Sequence, residues 1–136
     1  MAQTSNAADS ALQQRRLELV FVYGSLKRGL ANHRQLAGAT FAGTAVLQGL
    51  ALFDLGPFPM AVASSEPGNR LWGELYRVNG PHLAALDRFE GVPRLYQRLR
   101  WHLGDGQPVW VYVGRTHQVR FVNQISSGSW GGVRSD

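Results

Sequence analysis

Cysteine is missing altogether from the 136 residues, which excludes a disulfide framework, a thiol nucleophile and zinc–thiolate sites. Lysine occurs once, at Lys27, so the excess of 14 basic over 9 acidic residues is carried by arginine. Lys/Arg blocks are absent as well: the arginines are scattered, although Arg94, Arg98 and Arg100 come close together. The pI near 10.4 raises nucleic acid as a partner, but scattered, solvated arginines describe this chain better than a nucleic-acid interface. An anionic small molecule also fits that charge balance. No apolar run is long enough to span a bilayer. His33, His82, His102 and His117 lack an i, i+4 pair or other metal-ligand spacing, so no metal is expected. The first residues, MAQTSNAADSALQQRR, have no apolar signal-peptide core and read as a disordered leader over 1–16, ahead of a single domain over 17–136. Cytoplasm is the default expectation.

What the chain does have is a succession of short apolar and alternating runs. LELVFVYGSL reads as a buried strand, and TFAGTAVLQGLALFDLG as two strands turning near Gln48-Gly49. PMAVAS is a short apolar segment between turn-forming GPFP and SEPGN. RLWGELYRV alternates, with Trp72, Glu74, Tyr76 and Val78 on one side, and YQRLRWHL faces QPVWVYVG across Gly104-Asp105-Gly106. One helix is predicted over 80–91, GPHLAALDRFEG, where Pro81 suits the first turn and Gly91 a left-handed stop. NHRQLAG reads as a short second helical piece. Many strands with one good helix make an α+β domain whose sheet curls toward a barrel.

The helix carries a carboxylate on an unexpected face. Leu83, Leu86 and Glu90 fall at i, i+3 and i+7, one stripe, from which Asp87 and Arg88 are expected to project away. Glu90 also lies in the last turn, where the helix dipole disfavours an anion. Desolvation and dipole together raise its pKa, as general acid/base work requires. The spacing is equally met by a glutamate paired with Arg94, Arg98 or another arginine. Glu74, among Trp72, Tyr76 and Val78, is the rival carboxylate, and periodicity allows the two to flank one cavity.

The stretch FVYGSLKRG, 21–29, ends a strand in Gly24-Ser25. It is not a phosphate loop, since Gly29 is followed by Leu30 instead of Lys-Ser/Thr. It is not a nucleophile elbow either, since Gly24 directly precedes Ser25 and position 27 is lysine. There remains a strand end whose backbone N–H groups at Gly24, Ser25 and Leu26 can bind an anion or a polarised carbonyl.

Three blocks, VFVYGSLKRGLANHRQL at 20–36, GELYRV at 73–78 and LDRFEGVPRLYQR at 86–98, make the chain resemble the gamma-glutamylcyclotransferase-like family. The likeness is nearest to its small gamma-glutamylamine cyclotransferase branch and spans about Leu19 to Val113. ISSGSW near the end is similar to a tail motif of bacterial relatives that reads Ser/Gly-Asp-Trp, with Ser129 in place of the aspartate. The resemblance implies a small closed mixed β-barrel with flanking helices and a lateral cavity. It implies that Tyr23, Gly24, Ser25 and Leu26 form the loop holding the γ-glutamyl or 5-oxoproline moiety. It further implies that Glu90 is catalytic, that Tyr96 borders the pocket, and that Glu74 is structural or supporting.

The implied reaction turns a γ-glutamyl amine or related compound into 5-oxoproline and free amine. The substrate's own α-amine attacks its γ-carbonyl, so the enzyme supplies no nucleophile, metal or cofactor. Enforced proximity is worth roughly 7–11 kcal/mol in such a ring closure. Glu90 takes the ammonium proton and returns one to the leaving amine. A non-catalytic small-molecule-binding module on the same barrel is the alternative. Oligomeric state and leaving group are not legible.

Overall fold

Leu19, Val20, Phe21 and Val22 are apolar on both sides of an extended chain, and such a strand must be covered on both faces. The computed structural model, which describes residues 16–131, puts this segment, β1 (Glu18–Val22), at the centre of a five-stranded sheet. The expected leader, 1–16, lies outside the described residues except for Arg16.

In chain order the strands are β1, β2 (Thr40–Gln48), β3 (Leu50–Asp54), β4 (Pro59–Ala63), β5 (Arg70–Val78), β6 (Gln97–His102) and β7 (Pro108–Val113). The sheet order is β2–β5–β1–β7–β6, with β1 antiparallel to β5 and parallel to β7. The pleat sends Leu19, Phe21 and Tyr23 into one core with Leu50, Leu52, Leu71 and Trp130, and Val20 and Val22 into a second with Leu83, Leu86, Tyr76 and Tyr112. The one α-helix among the described residues, α1 (Gly80–Phe89), lies on that second face, contributing Leu83 and Leu86.

Both helix ends follow from local chemistry. The Asn79 side chain accepts the His82 N–H at 2.8 Å, satisfying one unpaired donor of the first turn. Gly91, at φ +67°, takes the left-handed position that ends the helix, and leaves Glu90 as its C-cap. NHRQLAG forms one 3-10 turn, His33–Leu36, and the chain reverses around Gly106 as read from its turn residues. At Gly49 it does not reverse: β2, paired with β5, runs on into β3, which pairs with β4.

The fold is α+β with a mixed five-stranded sheet, but the strands do not pair into a closed ring. The sheet ends at β2 and β6, while β3 and β4 form a separate antiparallel ribbon. That ribbon is tied to the rest by single bridges, Phe53–Gln124 and Val62–Gly114. The Gly114 N–H reaches Ala61 O at 2.8 Å, after which the chain turns off into the 3-10 turn Thr116–Val119. The pairing stops at that one bridge, so the ribbon does not complete a barrel.

Candidate active site

β1 stops at Val22 because the chain must swing past β4. A Cβ on Gly24 would lie 3.1 Å from Pro59 Cγ, so the loop runs in close contact with the start of β4. Tyr23 fixes the departure point: its hydroxyl donates to Tyr112 O at 2.7 Å and accepts the Ala61 N–H at 3.0 Å, joining β1, β4 and β7. Beyond it the loop closes on itself. The Lys27 N–H donates to Gly24 O (3.1 Å) and the Asn32 N–H to Ser25 O (2.9 Å). The Ser25 hydroxyl accepts from Asn32 Nδ2 at 2.8 Å, and no basic side chain among the described residues bonds to it. The N–H groups of Gly24, Ser25 and Leu26 donate to no described residue.

Two outer contacts hold this loop. Lys27 Nζ donates to Trp130 O at 2.6 Å, so the buried tail tryptophan anchors one side. The Arg28 N–H donates to Glu74 Oε1 at 2.9 Å, and Tyr76 donates its hydroxyl to the same oxygen at 2.9 Å. Glu74 therefore braces the loop from β5 and does not line the cavity with Glu90; the two do not form the flanking pair that periodicity allowed. Glutamine keeps an acceptor oxygen, and Arg28 is more than half exposed, so loss of that ion pair matters little. Glu74→Gln is expected to change kcat by less than about fivefold. Glu74→Leu strands two donors, and is expected to raise KM on the order of tenfold. Steady-state kinetics on both folded variants would check this.

Glu90 faces the loop across a pocket of about 150 Å³ whose lining includes Tyr23, Gly24, Ser25, Leu26, Tyr96 and Tyr112. The expected site residues are thus brought together in one cavity. Burial pushes the Glu90 carboxyl up to about 7. Among the described residues, no hydrogen bond or ion pair engages its side chain, and the pairing with Arg94 or Arg98 does not form. Arg98 instead donates Nε and Nη2 to Asp87, at 2.7 and 3.1 Å. Tyr96 donates its hydroxyl to Pro59 O at 2.6 Å; burial, then the field of Glu90, raises its pKa well above the usual range, so it stays neutral. At the mouth stand Phe58, Phe89 and Leu95, the last two 39% and 41% exposed.

Asp87 departs from expectation. It is half-buried on the sheet side of α1, because it follows Leu83 by four residues and the strands offer it Arg98 and the Tyr112 hydroxyl. Tyr112 itself was not legible as a pocket residue. Its only signal is a hydroxyl-bearing side chain inside the buried run VWVYV.

Similarity to known proteins follows the same residues. The family model described as "Gamma-glutamyl cyclotransferase, AIG2-like" matches residues 20–132. A Bos taurus protein named gamma-glutamylaminecyclotransferase is 40% identical over 98 residues, 65% of this chain and 57% of the bovine one. The chain thus spans little more than half the length of that relative. A Vibrio cholerae protein named putative gamma-glutamylcyclotransferase is 37% identical over 114 residues, covering 82% of this chain and 94% of its own. The crystal structure of an AIG2-like protein from Mus musculus superposes with a TM-score of 0.73 at 25% identity, over 90% of this chain and 99% of that one.

Proposed function

Because the chain belongs to the gamma-glutamyl cyclotransferase, AIG2-like family, we propose that it converts a γ-glutamyl amine or related γ-glutamyl compound to 5-oxoproline and a free amine. One observation carries the reading: a half-buried carboxyl without a partner among the described residues, Glu90, shares a pocket with three backbone N–H groups that donate to no described residue.

The N–H groups of Gly24, Ser25 and Leu26 bind the glutamyl group, and Tyr23 and Tyr96 shape the cavity around it. The α-amine nitrogen attacks the γ-carbonyl carbon, and the new C–N bond closes the five-membered ring. Glu90, ionised, takes the proton that this nitrogen sheds. It then delivers a proton to the leaving nitrogen as the old amide C–N bond breaks, so the enzyme ends as it began. A carboxyl near 7 suits both halves, being a stronger base than an exposed glutamate and still an acid at neutral pH. Backbone donors aimed at the carbonyl oxygen stabilise the tetrahedral anion. The leaving amine departs past Phe58, Phe89 and Leu95, an apolar mouth. Ser25 serves through its backbone, since its hydroxyl is held by Asn32. The cytoplasmic setting belongs to this same reading. Among the described residues no helix is long and apolar enough to cross a membrane.

The test is release of 5-oxoproline from a panel of γ-glutamyl amines, γ-glutamyl amino acids and glutathione. Turnover of at least one member is expected. Binding without turnover across the panel would make the protein a binding module on the same fold instead.

A further inference from the structure

Tyr112 connects the two carboxylates of α1. Its ring lines the pocket with Glu90, and its hydroxyl donates to Asp87 Oδ1 at 2.7 Å. Arg98 sits opposite Tyr112 in the β6–β7 ladder. It donates Nε to that same Oδ1 and Nη2 to Oδ2, at 2.7 and 3.1 Å. Its guanidinium also lies 4.2 Å from the Trp110 ring centroid, so its orientation is set from two sides. Asp87 precedes Glu90 by three residues, close to one helical turn, so both carboxylates project toward the same side of α1. One is matched by a cation and a phenol; the other has no partner among the described residues. Burial raises the Tyr112 hydroxyl first, Asp87 adds to it, and the fields of Arg98 and Glu90 act on it in opposite senses. Arg98 and Glu90 therefore both act on one side chain.

We propose that Asp87 is a positioning residue for the chemistry of Glu90: by binding Arg98 and the Tyr112 hydroxyl, it keeps the guanidinium neutralised and turned from the pocket, so that Glu90 stays unpaired. The proposal rests on the reading of Glu90 as the general acid/base. An opposite charge within reach of a carboxyl lowers its pKa by about 1–3, and a base so weakened takes protons poorly. The other groups that face Glu90 are neutral near pH 7. Burial raises the hydroxyls of Tyr23, Tyr96 and Tyr112 well above their ordinary value. Arg88 and Arg94, its neighbours in sequence, are exposed. Asp87 and Arg98 form an ion pair that reaches the pocket through Tyr112, and removing either member leaves a charge of known sign uncompensated there.

The experiment follows the Glu90 carboxyl carbon by ¹³C NMR from acid to alkaline pH, with the resonance assigned through Glu90→Gln. The full chain is compared with Asp87→Asn, Arg98→Met and the double variant. Wild type should titrate near 7. In Asp87→Asn the guanidinium loses its anion, and the Glu90 midpoint should fall by about one pH unit. In Arg98→Met the Asp87 charge is left uncompensated, and the midpoint should rise by a comparable amount. The double variant should return to the wild-type position. The acid limb of kcat/KM should move in the same directions. Because the NMR readout needs no substrate, it holds even if no γ-glutamyl compound is turned over. An unmoved midpoint in both single variants would reduce Asp87 to a structural residue and overturn the proposal. Should Asp87→Asn fail to fold, Arg98→Met decides alone, by an upward displacement or its absence.

Discussion

Glu90→Gln is expected to lower kcat for 5-oxoproline release by about 10²–10⁴-fold, the usual weight of a general acid/base, with KM little changed. Glutamine has the size and shape of the protonated acid, which the pocket already holds below pH 7, so the fold should tolerate it. What is lost is the ability to accept a proton from the attacking amine and return one to the leaving amine. The contacts proposed for Gly24, Ser25 and Leu26 are backbone contacts and should remain. A loss confined to kcat therefore separates proton transfer from binding. A loss confined to KM would assign Glu90 to binding the substrate's ammonium instead.

The same substitution is expected to stabilise the protein in alkali. Burial raises the Glu90 pKa from 4.5 to about 7, so the folded state holds this proton more tightly than the unfolded chain does. A proton of that kind contributes stability that is fully present below about pH 4.5 and is lost as pH rises through about 7. Above that window the folded protein carries a half-buried carboxylate with no partner among the described residues. At about 1.4 kcal/mol for each unit between the two pKa values, the difference is about 3 kcal/mol. Glu90→Gln has no such proton to lose. Urea unfolding should show it about 3 kcal/mol more stable than wild type near pH 8, with the gap closing toward pH 4. A gap of the same size at both pH values would mean that desolvation of the carboxylate is not its source. Inactive but more stable is the pattern of a residue kept for chemistry at the expense of the fold.

Much of this was legible from local pattern. The strands RLWGELYRV and QPVWVYV and the helix closed by Gly91 were readable because alternation, capping and glycine are short-range signals. Glu90 could be singled out because it stands where its helix stripe calls for leucine. The rest depended on partners distant in sequence. Asp87 was expected to face water, and faces the sheet because Arg98 and Tyr112 are brought to it by β6 and β7. Whether Glu74 was a rival catalyst or a brace turned on the position of the Arg28 N–H, 46 residues away. Periodicity cannot show where a loop folds back. Closure of the sheet was likewise beyond local pattern, since it depends on whether β4 continues the ladder past Gly114 or leaves it.

The most direct test measures 5-oxoproline release by wild type and Glu90→Gln as a function of pH, on whichever γ-glutamyl compound proves the best substrate. Wild type should show kcat/KM rising through a midpoint near 7, and the glutamine variant should lose both that limb and nearly all of the rate. Full activity in Glu90→Gln, with the same limb in place, would contradict the assignment of proton transfer to this carboxyl.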